Sequence, residues 1–313
     1  MPGVYGSAEP LILLLLALGV EALYGGASTI ERWLPRPRRL MAIFVSKFDG
    51  ALNRSSTSTA VSVFNGMVSV LLLTGMFAAL GYAFSFITRN APFLWLIEVI
   101  VIAFCLDYRA HQVRLRRVRK ALALKSLVTA RGELYPLVSA LFRITDLNRL
   151  DESQLAAASV GGMARGFVTG FAAPSLWYGL LGLPGLFVQQ AVHQGARFYR
   201  QRHLQAPQEK GFSKVFLGFD RVFLVLPDAI SALTFICASL FVPGTSLGQA
   251  FARCWRGRHM ADAALGGALK LDPNMPSETN WRKELERGNL VVLIAGFIGI
   301  GLIAGAVLLR FTI

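Results

Sequence analysis

The chain is poor in charge. Asp, Glu, Lys and Arg make up only 16% of its 313 residues, whereas 54% are hydrophobic. A water-soluble chain of this length needs more surface charge, so the composition indicates a membrane protein. Cysteine is scarce too: Cys105, Cys237 and Cys254 lie far apart, without CxxC spacing or histidine partners in register. Neither a disulfide framework nor a zinc site is therefore indicated.

Acidic residues are few in comparison with basic ones, 18 against 32, which gives a net charge of +14. Such an excess is typical of nucleic-acid-binding proteins, of surfaces that contact anionic lipid, and of cytoplasmic loops between membrane spans. The basic residues cluster beside apolar runs, which favours membrane loops. Motifs of several enzyme classes are missing as well, since there is no GxxxxGK(S/T), HExxH, GxSxG or strand-borne GxGxxG. We expect no metal and no cofactor.

Four apolar segments are predicted to span the membrane as helices. The clearest contains twenty uncharged residues and is long enough to cross about 30 Å of hydrocarbon. The segment nearest the N-terminus has no basic residue before it, so we expect an uncleaved anchor rather than a signal peptide. The four segments are Pro10 to Val20, Ala60 to Phe84, Ala91 to Leu106 and Leu290 to Leu309.

Two further apolar regions are interrupted by charged residues and prolines. Ala156 to Val192 contains Arg165, and Val215 to Pro243 contains Pro227. Basic clusters lie before and after each region, so both are predicted to be broken or re-entrant helices, where irregular backbone lines a site. The predicted fold is an all-α polytopic membrane protein with one domain over residues 1–313. It includes a basic amphipathic cytoplasmic portion at 109–150 and a C-terminal transmembrane helix at 289–310.

The basic residues also predict orientation and partners. The loop from Arg32 to Arg54 should lie in the cytoplasm, which places both termini on the non-cytoplasmic side of a bacterial inner membrane. The basic stretch after residue 109 is interleaved with aliphatic residues and is predicted to lie on the anionic leaflet. It lacks stacking aromatics, which disfavours nucleic acid. The predicted lipid-facing residues are Arg114, Arg116, Arg117, Arg119 and Lys120.

A short central motif carries a family resemblance. Ala173-Pro174-Ser175-Leu176-Trp177, followed by Gly182-Leu183-Pro184-Gly185, resembles the AP-x-x-W and G-x-PG core of the CobD/CbiB cobalamin-biosynthesis membrane proteins. Trp33 to Pro37, Phe219-Asp220 with Pro227, and the run from Asp262 to Leu269 resemble other motifs of that family in the same order. The resemblance implies an integral membrane synthase that joins an aminopropanol-type amine to adenosylcobyric acid with ATP and Mg²⁺.

Several positions depart from the family pattern. Where the family has Glu, Asn and Asp in SLAENxxDG, this chain has Arg165, Gly166 and Thr169. His193 stands at the Asn of NTLDSM, and Arg221 at the second Asp of the LDD motif. These changes remove oxygen ligands or add positive charge, so Mg²⁺ and ATP would lose their anchors. We expect a degenerate AmpE-like member, a pseudoenzyme that acts as an accessory, scaffold or regulatory subunit.

Ionisable groups at membrane depth are the candidate site residues, because burying them is costly. Arg165 is predicted to pair with Asp220 or Asp228 as a neutral plug, the alternative being a retained anion-binding pocket. His193 has no carboxylate or Cys partner in register along the sequence, and such a histidine is more often a hydrogen-bonded packing residue than a metal ligand. The residual family-site positions are Arg165, Thr169, His193, Asp220, Arg221 and Asp228, and Glu21 and Glu98 are further intramembrane acids.

Glycines and prolines are assigned structural roles. Gly182, Pro184 and Gly185 should make a tight turn within the core motif, which also includes Pro174 and Trp177. Gly301 and Gly305 form a GxxxG in the last helix and should allow close approach of another membrane protein or a second copy. Two other functions stay open: an active adenosylcobinamide-phosphate synthase-type enzyme using ATP, Mg²⁺ and a corrinoid, and a transporter.

Overall fold

The computed structural model describes residues 10–24, 37–53, 58–90, 93–139, 144–205, 211–255, 257, 259–271 and 281–312. Within these residues the regular structure is entirely helical. The helices are α1 (Pro10–Tyr24), α2 (Pro37–Leu52), α3 (Thr59–Asn90), α4 (Trp95–Cys105), α5 (Tyr108–Ala123), α6 (Leu127–Val138), α7 (Ile144–Leu147), α8 (Glu152–Phe167), α9 (Ala173–Gln205), α10 (Gly211–Ser239), α11 (Leu247–Cys254), α12 (Met260–Ala268) and α13 (Trp281–Thr312), with a π-helical turn Val168–Ala172 between α8 and α9. Trp33 to Arg36 of the N-terminal motif lie outside the described residues.

Four helical segments are long and apolar enough to cross a membrane: Thr59–Asn90, Glu152–Leu204, Gly211–Ser239 and Trp281–Arg310. The predicted spans Ala60 to Phe84 and Leu290 to Leu309 lie within the first and last of these. The two regions expected to be broken form the other two. Helix α1 has 15 residues and α4 has 11, both fewer than the roughly 20 that a straight span requires. The all-helical, polytopic membrane architecture is thus confirmed.

The first interrupted region is broken at Gly182. This glycine has φ 68° and ψ −154°, a backbone conformation that is open to glycine alone. A Cβ added to Gly185 would lie 2.5 Å from the carbonyl oxygen of Trp177, although a straight helix separates residues eight apart by about 12 Å. The chain therefore bends sharply at Gly182 and folds residues 183–185 back onto the preceding turns.

The second region, expected to be broken, is instead one continuous helix, α10. Pro227 lies inside it and has no N–H, so the carbonyl of Phe223 loses its usual helical donor. The indole Nε1 of Trp177 donates a hydrogen bond to that carbonyl at 3.0 Å, and the two rings pack with centroids 4.9 Å apart. Because the freed carbonyl is satisfied, the helix continues through the proline.

The chain divides into two compact units that interleave in sequence. Unit 1 comprises Met1–Leu106, Ala173–Phe223 and Ala306–Ile313, and unit 2 comprises Asp107–Ala172 and Leu224–Gly305. A buried cluster joins α2, α3, α9 and α10 in unit 1. It consists of Met41, Val45, Val70, Leu73, Phe77, Ala191, Tyr199, Phe212 and Phe216.

Unit 2 has an aromatic centre. The rings of Phe167 and Phe171 lie 5.0 Å apart, and Phe167 also packs against Phe235 and Tyr108. The hydroxyl of Tyr108 donates to the carbonyl of Val292 at 3.0 Å, which ties α5 to α13. These contacts pack α8 against α5 and against α10, the helix that carries Asp228.

Helix α5 is amphipathic, as its sequence indicates. Leu115, Val118 and Leu122 are buried on one side. Of the predicted lipid-facing residues, Arg116, Arg117 and Lys120 are exposed, whereas Arg114 and Arg119 are half-buried.

Candidate functional site

A buried ionic network lies in unit 1 between α9 and α10. Asp220 is 1% exposed. One of its oxygens lies 3.0 Å from Nδ1 of His193 and the other 2.5 Å from a guanidinium nitrogen of Arg200. A carboxylate only accepts hydrogen bonds, so His193 donates from Nδ1 and leaves Nε2 pointing away from Asp220. His193, for which the sequence indicated no carboxylate partner in register, thus has one 27 residues away along the chain.

Two buried glutamines precede this network on α9. Gln189 is 1% exposed, and neither its Oε1 nor its Nε2 has a hydrogen-bond partner. Gln190 donates from Nε2 to the carbonyl of Cys105 at 3.2 Å, but its Oε1 is unpartnered. Buried amide groups are normally satisfied, so these atoms mark a polar spot among apolar helices. Sequence reasoning did not single out either glutamine.

A second network in unit 1 centres on Asp49 of α2. The hydroxyl of Tyr199 donates to it at 3.0 Å, Asn53 donates at 2.6 Å, and Arg202 forms an ion pair with its other oxygen. Sequence analysis missed this cluster, because its members lie about 150 residues apart. The spacing of Asp49 and Asn53 by four residues is the only local signal.

Glu98, which was singled out as an intramembrane acid, is fully buried in unit 1. The hydroxyl of Thr88 donates to one of its oxygens at 2.7 Å, and the hydroxyl of Tyr178 donates to the other at 2.8 Å. Each oxygen is therefore satisfied by a neutral donor. This arrangement joins α3, α4 and α9 and accounts for a carboxyl group inside an apolar helix.

Unit 2 contains a different charged group, built around α12. Arg165, in the last turn of α8, donates from Nε to Oδ2 of Asp262 at 3.0 Å. Asp262 lies in the first turn of α12, where a carboxylate is favoured by the helix dipole. The predicted partners of Arg165 were Asp220 or Asp228, and this prediction was wrong. Packing of α8 against α12 brings Asp262 to Arg165 from 97 residues away.

Asp228 lies close to this pair but has another role. Its two oxygens accept hydrogen bonds from the backbone N–H groups of Met260 and Ala261, at 2.8 Å and 3.2 Å. Those N–H groups begin α12 and have no partner within the helix, so Asp228 caps it. Burial raises the pKa of Asp262 to about 6, the Arg165 guanidinium opposes this rise, and the negative charge of Asp228 adds to it.

The remaining family-site positions do not join these groups. The hydroxyl of Thr169, in the π-helical turn, donates to the carbonyl of Arg165 in the last turn of α8 at 2.8 Å. Arg221 is exposed on α10, next to Asp220 in sequence. Within the described residues there is no group of three or more His, Cys, Asp or Glu side chains that could hold a metal ion.

A magnesium–nucleotide complex does not fit the Arg165, Asp262 and Asp228 group. Mg²⁺ takes oxygen ligands in octahedral geometry, usually one or two carboxylates together with substrate phosphates. Here the guanidinium already neutralises Asp262, and the helix amides occupy both oxygens of Asp228. A magnesium ion at this position would be repelled by the guanidinium of Arg165.

The glycines of α13 fall into two sets. A Cβ on Gly296 would lie 2.9 Å from the Tyr108 hydroxyl, and one on Gly299 would lie 2.6 Å from the Phe171 ring. These two glycines allow packing within the chain. In contrast, a Cβ on Gly301 or Gly305 would meet no atom within 4 Å. The GxxxG face therefore stays open.

The comparisons with known proteins agree with the resemblance read from the core motif. A family model described as CobD/Cbib protein matches residues 14–195. A cobalamin biosynthesis protein CobD of Sinorhizobium sp is 28% identical over 184 residues, which is 58% of this chain and 55% of the relative. The CobD protein of Rhizobium meliloti (strain 1021) is 29% identical over 188 residues, 60% of this chain and 56% of the relative.

A more distant match covers more of the chain. The CobD protein of Dehalococcoides mccartyi (strain CBDB1) is 23% identical over 236 residues, 74% of this chain and 71% of the relative. The chain spans 55% and 56% of the length of the Sinorhizobium and Rhizobium relatives. No solved structure matches. Since the family model covers more than half of the chain, the protein belongs to the CobD/CbiB family of membrane proteins.

Proposed function

We propose that this chain is a non-catalytic CobD/CbiB-family protein, an AmpE-like pseudoenzyme that serves as an accessory, scaffold or regulatory subunit in the bacterial inner membrane. The observation that carries the proposal is the ion pair between Arg165 and Asp262. In the family pattern that the sequence resembles, position 165 is the glutamate of SLAENxxDG, and the run that begins at position 262 is EAAMAGAL, which starts with a glutamate. Two carboxylates that face each other can bind a divalent cation, whereas a carboxylate that faces an arginine is already neutralised by the guanidinium.

The network in unit 1 supports the same proposal. Asp220 matches the first Asp of the LDD motif, and both of its oxygens are engaged by His193 and Arg200. Its neighbour Arg221 replaces the second Asp of that motif. The acidic group that remains is thus used for structure, and the next position carries the opposite charge.

A second candidate is a working adenosylcobinamide-phosphate synthase-type enzyme that uses ATP, Mg²⁺ and a corrinoid. The names of the relatives favour it, because they are cobalamin biosynthesis proteins. Arg165 and Arg221 argue against this candidate, because each stands where the family pattern has an acidic residue. This enzyme would need to hold the nucleotide through groups other than the family's acidic motifs.

Complementation separates the two candidates. A bacterial strain that lacks its cobinamide-phosphate synthase would receive either this chain or, as positive control, its own synthase. Membrane fractions would be blotted to ensure equal amounts of both proteins. We expect the control to restore cobinamide-dependent growth and this chain not to restore it. Growth with this chain would overturn the non-catalytic proposal.

A scaffold needs a partner, and the open face of α13 at Gly301 and Gly305 is where we propose that another membrane protein or a second copy packs. Purification in mild detergent should recover a partner in stoichiometric amount. A G301L/G305L variant should lose most of it, whereas G75L, at another glycine with open space around it, should retain it. Repeated isolation of a lone monomer would contradict the scaffold role. The same proposal places both termini on the non-cytoplasmic side.

A further inference from the structure

The turn between α5 and α6 in unit 2 exposes large apolar side chains. Leu124 is 71% exposed and Val128 is 81% exposed. An exposed apolar patch, unlike a single exposed apolar residue, is a feature of surfaces that contact lipid or another protein. Lys125 lies between them with φ 55°, a left-handed conformation that sharpens the turn. The turn thus presents two apolar side chains together.

Exposed basic residues surround this apolar pair. Arg116 and Lys120 are one helical turn apart on the exposed side of α5, and Lys125 follows in the turn. Arg117 is exposed too, 3.7 Å from Glu133 at the surface. A basic collar around apolar tips is the pattern of segments that insert shallowly into an anionic lipid surface.

The turn is attached to the end of a membrane-spanning helix. Arg282 of α13 donates to the carbonyl of Ala123 at 3.3 Å, and its guanidinium lies 5.3 Å from the centre of the Trp281 ring. Arg282 precedes Arg287, the last charged residue before the apolar run, by five residues or roughly 8 Å along the helix. The interfacial region on each side of a bilayer is also about 5–8 Å thick. With Arg287 at the boundary of the hydrocarbon, the turn would lie at headgroup depth.

A second apolar stripe lies near the same end of α13. Leu247 and Phe251 of α11 and Trp255, directly after this helix, are spaced four residues apart and are 41%, 54% and 68% exposed. The guanidinium of Arg287 lies over Gly244, just before this helix, since a Cβ there would come within 2.6 Å of its Cζ. Phenylalanine and tryptophan at this level suit a lipid interface.

We infer that this face of unit 2 is an anionic-lipid interface, in which Leu124 and Val128 insert among headgroups that Arg116, Arg117, Lys120 and Lys125 attract. The occupant is a lipid surface rather than a nucleic acid, because apolar tips would gain nothing from a solvated phosphate backbone. The inference is independent of whether the protein is catalytic.

Hydrogen exchange measured by mass spectrometry on the full chain in lipid nanodiscs tests this inference. Nanodiscs would contain phosphatidylcholine alone or with about a quarter of phosphatidylglycerol. We expect amides in the segment 121–130 to exchange at least about threefold more slowly with phosphatidylglycerol present, and the difference to shrink at high salt. Equal exchange in the two lipids would overturn the inference.

Matched variants make the result specific. R116Q/K120Q should abolish the protection, and L124S/V128S should reduce it, whereas K47Q/R149Q removes two other exposed basic residues and should preserve it. Protection that survives R116Q/K120Q would overturn the inference. Protection that rises with the amount of protein per nanodisc would identify a second copy as the occupant, and protection by an added oligonucleotide but not by phosphatidylglycerol would identify nucleic acid.

Discussion

The two units neutralise a carboxylate in different ways. In unit 1, the Asp220 side chain is 2% exposed and has a cationic or imidazole donor on each oxygen. In unit 2, the Asp262 side chain is 25% exposed, has one cationic partner in Arg165, and lies near a second carboxylate, Asp228. The first carboxylate is buried and has a partner on each oxygen, whereas the second is partly exposed and has one cationic partner. Loss of a partner should therefore cost more in unit 1.

The largest effect is expected for D220N. Removing the charge would break an ion pair whose carboxylate is buried and would leave Arg200, with a side chain 23% exposed, without its anion. We expect a cost of about 3 kcal/mol, the lower end of the range for buried pairs, because water reaches the guanidinium. Thermal unfolding of the protein in detergent, followed by intrinsic fluorescence, should show a marked fall in Tm. R221Q changes the exposed neighbouring residue and serves as control. A D220N variant as stable as R221Q would show that the network of unit 1 carries little of the stability.

A smaller loss is expected for R165Q. Without the guanidinium, Asp262 would lie beside Asp228 with no cation, but water reaches the pair, so we expect about 1–2 kcal/mol. The same unfolding measurement applies. In the double variant R165Q/D262N both charges are gone, and part of the stability should return. If the double variant loses as much stability as R165Q and D262N lose when added together, the two residues do not interact.

The smallest effect is a pH dependence specific to unit 2. Burial raises the pKa of Asp262 to about 6, with Arg165 opposing and Asp228 adding to the rise. Since the folded-state pKa exceeds the unfolded value of about 3.9, the folded state holds the proton more tightly. Protonated Asp262 therefore stabilises the folded state fully below pH of about 4, and this contribution is lost as the pH rises towards about 6.

This dependence can be isolated with D262N, which keeps the neutral form at every pH. The Tm of the original protein relative to D262N should fall between pH of about 4 and about 6 and then stay level. Because R165Q removes the opposing cation, it should extend the fall to higher pH. A relative Tm that rises over this interval would contradict the direction of the pKa shift.

Much of the fold followed from uncharged length and from turn residues. The stretches from Ala60 to Phe84 and from Leu290 to Leu309 contain no charge, and hydrocarbon thickness then sets the helix length. Gly182 was expected in a tight turn because a Pro-Gly pair follows it. Such features depend on neighbouring residues only, so a sequence can indicate them.

The long-range contacts could not be predicted in the same way. A proline at 227 indicates a break unless another group satisfies the freed carbonyl, and the indole that does so is Trp177, 46 residues before its acceptor. The partner of Arg165 was also misassigned, because Asp262 becomes its neighbour only through the packing of α8 on α12. Hydrogen-bond partners this far apart are decided by tertiary structure.

The bend at Gly182 has a consequence for how such a membrane scaffold can diverge. Its shape arises from a glycine torsion and from the bare backbone of Gly185, which lies against the carbonyl of Trp177. Because the backbone itself sets this bend, the acids and bases of the more distant family motifs can change while the path of the chain is kept.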